Sequence, residues 1–266
     1  MGLFSQSGYV GYWKDRVAQA QDGTKVAGAE VQEGFLDRLE IQAGQRVLDL
    51  GCSYGRLFPL LAARGAQVWG ADVDPEALKE AAAQGYQQLD VGAAEKTPYE
   101  ADFFDQVIAW GVYDVVEQEE GLVEANRILK TGGRFLFTGK HHDYSPNDRL
   151  GFIAERNACL KDFPNHFTDL RSLAQLLPQY GFRWVAGFGF EQRGDFGKGE
   201  FFELDLKEAK PFYEFLLVLE KTETLAPQGL TFCGPHSQTA LSKAAHSGYQ
   251  DLRQFFKEHK AQNGDE

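Results

Sequence analysis

The chain has 266 residues, enough for one α/β domain with additions or for two small domains, and no Pro/Ser-rich linker, internal repeat or low-complexity stretch divides it. A net charge of −12 and a pI near 5.0 argue against an extended phosphate-binding face and hence against nucleic acid. No apolar run reaches the ~18 residues of a membrane span, and the three cysteines, widely spaced and without a Cys-x-x-Cys pair, give neither a disulfide framework nor a zinc site.

At the N-terminus, Tyr9, Tyr12, Trp13 and Val17 recur at roughly helical spacing, and Val31, Phe35 and Leu39 follow every four residues. Residues 1–45 are therefore expected to form helices that pack on a sheet or close over a bound ligand as a lid. That stretch has no signal-peptide core, and Gln6 stands where a myristoylation signal needs Ser or Thr, so a cytoplasmic protein without membrane attachment is expected.

Arg46-Val47-Leu48-Asp49-Leu50 reads as a buried parallel strand that breaks at Gly51-Cys52-Ser53-Tyr54-Gly55, where glycines allow positive φ and let a ligand lie against bare backbone. Leu57, Leu60 and Leu61 mark the following helix, with Pro59 tolerated in its first turn. Gln67 to Asp72 is a second strand ending in an acid, and Asp74-Pro75 supplies an N-cap and first residue for the next helix. A carboxylate at the tip of strand two, Asp72, can accept both hydroxyls of a ribose.

Further along, a strand runs through Trp110 and a helix from about Glu119 to Leu129. A fifth strand ends at Thr138-Gly139, and Lys140-His141-His142-Asp143-Tyr144 emerges where substrate contacts cluster in open α/β sheets. Two adjacent histidines are too few for a metal site, and none is expected; either one can serve as a general base or simply lie on a surface loop. A helix from Asn147 to Cys159 reads as an insertion. Thr168 is the expected N-cap of a helix burying Leu170, Leu173, Leu176 and Leu177, before two last strands at Arg183–Phe190 and Phe212–Leu219.

Which nucleoside cofactor the turn suits depends on what it lacks. A dinucleotide fingerprint would place glycine at the positions of Ser53 and Arg56. Asp49-x-Gly51-x-Ser53-x-Gly55 instead resembles the first motif of the class I S-adenosylmethionine-dependent methyltransferases of small-molecule type. Gly92 to Ile108 resembles, without a gap, that family's Gly-Asp-Ala-Glu turn, Leu-Pro-Phe and Phe-Asp start of strand four, and Leu129-Lys130-Thr131-Gly132-Gly133 resembles its Leu-Lys-Pro-Gly-Gly turn. The likeness covers about Val47 to Leu219. Two positions depart from the pattern: Ala93 stands where the family's adenine-contacting Asp is usual, leaving Asp90 or backbone near Ala94 to read that edge, and Val115 replaces a usual His.

The resemblance implies a doubly wound, Rossmann-like α/β fold: a seven-stranded, mostly parallel sheet with an antiparallel last strand and helices on both faces. It implies a lid at 1–45, a core at 46–221 with a helical insertion at about 141–165, and an extension at 222–266 with a helix near Tyr249–Lys260. The extension would pack on the core or on a second copy, making a homodimer. S-adenosyl-L-methionine is the implied cofactor, held by Asp49, Gly51, Cys52, Ser53, Gly55, Asp72, Val73, Ala94, Glu95 and Trp110, and a small molecule the implied methyl acceptor. With Val115 unable to take a proton, His141, His142 and Tyr113 are the candidates for the chemical step. An NAD-dependent dehydrogenase, a catalytically silent cofactor-binding module and a tRNA or protein methyltransferase are the alternatives.

Overall fold

A computed structural model of the protein describes residues 29–145, 147–160, 165–207, 210–223, 233–234 and 244. The expected helices around Tyr9–Val17 and Tyr249–Lys260, and most of the extension, lie outside the described residues.

Strands β1 (Arg46–Leu50), β2 (Gln67–Asp72), β3 (Gln88–Val91), β4 (Phe104–Ala109) and β5 (Leu129–His141) form a parallel sheet in the order 3-2-1-4-5. Val47, Leu48 and Leu50 of β1 are at most 3% exposed, as a central strand covered on both faces requires. Beyond β5 the direction changes. β9 (Glu214–Lys221) is inserted antiparallel between β5 and β7 (Phe182–Phe190).

Those strands are the seven of the expected fold, and β9 is its antiparallel member. The sheet is nevertheless ten-stranded, because the two-residue strands β6 (Phe167–Thr168), β8 (Phe202–Glu203) and β10 (Cys233–Gly234) join it. Pairings that short carry no hydrophobic alternation from which they could be read.

Helix α1 (Ala29–Leu36) buries Phe35 and Leu36. It is followed by α2 (Phe58–Ala63), which has Pro59 in its first turn, and α3 (Pro75–Ala81), whose N-cap Asp74 accepts from the Glu76 N–H at 2.9 Å. After β4 come α4 (Gln118–Ile128), the insertion helix α5 (Arg149–Leu160), α6 (Leu170–Leu176) and the single turn α7 (Asp195–Lys198). The N-cap of α6 is Asp169 and not Thr168: the carboxylate accepts from the Arg171 and Ser172 N–H groups. Thr168 is drawn into β6 instead, fully buried, its hydroxyl donating to Gln118 at 2.9 Å.

Strand alternation sorts the core. Leu48, Leu50, Phe135 and Phe137 face α4 and α6, while Val47, Ile108, Leu136, Leu216 and Val218 face α1 and α2. By the same alternation Asp49, Trp110, Lys140 and Glu214 fall on the second face and His141 on the first. Among the described residues no helix is long and apolar enough to cross a membrane, and no group of three His, Cys, Asp or Glu could hold a metal ion.

Candidate active site

The turn after β1 is built from backbone. Gly51, Ser53 and Gly55 have φ of 76°, 49° and 83°, and the Gly51 and Cys52 N–H groups both donate to the Ala71 carbonyl at the end of β2, at 2.7 and 3.1 Å. A Cβ on Gly51 would come within 2.2 Å of Val112 Cγ2, so the position admits no side chain. Cys52 is 4% exposed, and burial beside Asp49 pushes its thiol far above the range of a nucleophile.

Asp72 ties the turn to the next one. Its Oδ2 accepts from the Ser53 N–H and its Oδ1 from the Asp74 N–H, each at 2.9 Å, while Val73 beside it is half-buried. Burial raises the Asp72 pKa against these bonds. Each oxygen keeps a second lone pair for a ligand hydroxyl. Asp49 is 2% exposed and accepts from the Tyr86 hydroxyl at 2.8 Å; burial pushes its pKa up to about 7, while Tyr86 and Arg56 pull it down. Tyr86 lies in the segment between α3 and β3, and no motif in the sequence marks it.

Beyond Asp72, the Gly92 N–H donates to the Asp72 carbonyl at 3.0 Å and leads into buried Ala94. Glu95 accepts from the Glu117 N–H at 3.0 Å, bracing that turn against the start of α4. Asp90 pairs with Ala71, one step behind Asp72, and its Oδ1 accepts from Gln88. Trp110, directly after β4, meets Phe196 edge-on with ring centroids 5.3 Å apart.

The residues expected for the chemical step lie after β4 and at the end of β5. Tyr113 is buried against Phe137, its hydroxyl donating to the Gln118 carbonyl at 2.7 Å. His141 stacks on Phe212 at 4.2 Å with its Nδ1 3.1 Å from the Thr168 carbonyl, and burial with the neighbouring His142 lowers its pKa to about 3. A neutral ring donating that bond results. His141 and His142 line a cavity of about 230 Å³ together with Asp169, Arg171, Phe202 and Lys210.

Across β5 from that cavity is a buried charge network that sequence reasoning missed. Lys140 Nζ donates to Asn165 Oδ1 at 2.7 Å and lies 3.1 Å from Asp114 and 3.2 Å from Glu155. Glu155 is wholly buried and accepts from Tyr213 and Asn165; the Tyr213 hydroxyl accepts in turn from Arg193 at 2.9 Å. The Glu155 and Asp114 carboxylates hold the Lys140 ammonium well above its ordinary range despite burial. Glu214, register partner of Lys140, completes the group.

With this geometry in view, residues 48–137 match the model of the family described as "Methyltransferase domain". Residues 48–137 are a methyltransferase domain. A methyltransferase of Streptomyces halstedii, GfsG, is 31% identical over half of this chain and half of its own. The demethylmenaquinone methyltransferase of Clavibacter sepedonicus is 38% identical over 35% of this chain and 40% of its own. The chain thus spans about half the length, or less, of these curated relatives. In fold, an S-adenosylmethionine-dependent methyltransferase from Mesorhizobium loti superimposes with a TM-score of 0.56 over 71% of this chain and 96% of that one, at 19% identity.

The methyltransferase turn fits S-adenosylmethionine on the chemistry of its own groups. Asp72 presents free lone pairs at the tip of β2 for the ribose, the positive-φ turn offers bare backbone, and Asp49 supplies a carboxylate beneath it. The motif was visible in the sequence because it is local; the charge network was not, because its members come from well-separated stretches.

Proposed function

We propose that this protein transfers a methyl group from S-adenosyl-L-methionine to a small-molecule acceptor. The observation that carries the reading is Asp72, anchored by two backbone N–H groups beside a turn of positive φ, which leaves its carboxylate lone pairs able to accept from a ligand. Bound there, the cofactor supplies an electrophilic methyl carbon. Asp49, Gly51, Cys52, Ser53 and Gly55 would underlie its amino-acid end, Asp72 and Val73 its ribose, Ala94 and Glu95 its adenine, and Trp110 would flank the methionyl side. Holding two reactants in line contributes ~7–11 kcal/mol in favourable cases, so the chain's main task is orientation and exclusion of water.

A small acceptor is supported by the quinone-type substrate that the name of the Clavibacter relative implies for that protein. His141, His142 and Tyr113 belong to this proposal as acceptor-side groups: the histidines through the cavity they line, Tyr113 by bracing the segment that carries Asp114. The proposal extends to a cytoplasmic protein that engages no nucleic acid, with residues 1–45 as a lid and the C-terminal extension as a homodimer contact. Calorimetry tests its core. Binding of S-adenosylhomocysteine without binding of NADH is expected, and comparable affinity for NADH refutes the reading; a screen of small acceptors with labelled methyl donor then finds the substrate.

A further inference from the structure

The amino end of β9, beside the carboxyl end of β5, and the segment after β7 carry a carboxylate and a guanidinium that do not satisfy each other. Glu214 keeps part of its surface exposed as a residue while its carboxyl end is buried, and among the described residues that carboxylate makes no hydrogen bond and no ion pair. Arg193, also half-buried, donates one N–H to the Tyr213 hydroxyl and has no ion pair among the described residues. Each group feels the other's field, yet they lie beyond the 4.0 Å of an ion pair. Lys140 cannot fill the gap, because its ammonium is already directed at Asn165, Asp114 and Glu155.

Resting on the methyltransferase reading above, we propose that Glu214 and Arg193 bind the acceptor through an acidic hydroxyl, phenolic or enolic, with Glu214 as the base that removes its proton. One hydroxyl oxygen answers both groups: its O–H donates to the Glu214 carboxylate while its lone pair accepts from Arg193. In the proton transfer the O–H bond breaks, the proton passes to a Glu214 carboxyl oxygen, and the electron pair stays on the acceptor oxygen facing Arg193. An ammonium ligand fails on both counts, having no lone pair for Arg193 and being repelled by it and by Lys140. The position agrees, since Lys140 and Glu214 lie on the same sheet face as Asp49 and Trp110 and one pair of residues further along β5 than Thr138, which accepts from the Gly111 N–H next to Trp110.

The charge balance suits the role. Glu214 is faced by Lys140 from β5, Arg193 from the segment after β7, Asp114 from the segment after β4 and Glu155 from α5. Two cations oppose two carboxylates, and burial, the largest influence, pushes the Glu214 carboxyl up to about 7. A base of that strength is half ionised at neutral pH and returns its proton readily.

The test uses the full chain saturated with S-adenosylhomocysteine and 4-methylphenol as probe, whose hydroxyl, like that of tyrosine, ionises only at about pH 10, with binding read by calorimetry across the pH range. For wild type, probe affinity should rise about tenfold as pH increases through about 7. In Glu214→Gln that rise should vanish, and in Glu214→Asp it should persist with weaker binding. An infrared titration of wild type adds a readout that needs no variant: the band of the protonated Glu214 carboxyl, assigned by its loss in Glu214→Gln, should change when the probe binds. Identical pH profiles for wild type and Glu214→Gln, or a carboxyl band indifferent to the probe, overturn the assignment. Failure to bind S-adenosylhomocysteine at all would instead overturn the methyltransferase reading.

Discussion

The turn after β1 and the far end of β5 solve opposite problems. The turn is made of backbone: its shape comes from left-handed residues and from N–H groups donating to Ala71 and Asp72, and one short stretch supplies nearly all of it. The end of β5 is made of side chains, Asp114, Lys140, Glu155, Arg193, Tyr213 and Glu214, brought together only by the completed sheet. The difference teaches that the first region should respond to substitution mainly through ligand affinity, and the second mainly through stability and proton chemistry.

The largest effect should come from the second region. Lys140→Ala leaves the wholly buried Glu155 and the half-buried Asp114 without their cation, and breaking a buried pair costs about 3–5 kcal/mol; a urea midpoint unchanged from wild type would remove the contrast. Next is Asp72→Ala, which deletes two charge-assisted hydrogen bonds to a ribose worth ~1.5–3 kcal/mol each. Affinity for S-adenosylhomocysteine by calorimetry should fall about a hundredfold or more, and a normal dissociation constant would show that the ligand lies elsewhere.

Proton linkage sharpens the comparison further. Burial pushes the Asp49 carboxyl up to about 7 in the folded chain from its ordinary 3.8, so the folded form holds a proton that the unfolded form releases. Stability from this group is complete below 3.8 and is lost as pH rises through about 7. The ligand-free protein should therefore have a lower urea midpoint at about pH 8 than at about pH 6. Affinity for S-adenosylhomocysteine should move the other way, gaining about tenfold over the same interval, because the ligand's ammonium needs an ionised Asp49. The smallest effect belongs to Asp74→Ala, which removes the cap of α3 at a cost of ~0.5–2 kcal/mol in thermal unfolding without touching the β5 end.

Much of the first region was legible in the sequence because its signals are local. The apolar run from Val47 to Leu50, the glycines at 51 and 55, the acid at 72 and the cap at Asp74 each report their geometry within a few residues. What the sequence could not carry was distance. Tyr86 reaches Asp49 across 37 positions, and Tyr213 reaches Glu155 across 58, with no periodicity to announce either contact. The cap of α6 failed for a different reason: Thr168 and Asp169 are both good N-caps, and the choice fell to tertiary pairing of Thr168 in β6. His141 stood out as a titratable residue in a loop, but strand pairing carries β5 through it and buries its ring against Phe212.

The antiparallel β9 has a further consequence, for how the chain is made. It is the last long strand among the described residues to leave the ribosome, yet its place is between two earlier ones, β5 and β7. Until it arrives, Phe135, Leu136 and Phe137 on one side and Phe182 to Phe190 on the other border a missing strand, with unpaired N–H and C=O groups along both edges. A nascent chain that has not yet passed Lys221 is thus an unfinished sheet with two adhesive borders, the kind of species that self-associates. Insertion of β9 closes both borders at once, and Lys221 locks it by donating to Asp102 and to the Leu129 carbonyl at 2.7 and 2.6 Å. Acceptor chemistry, which needs Glu214, therefore becomes available only in the same step that makes the chain safe from its neighbours.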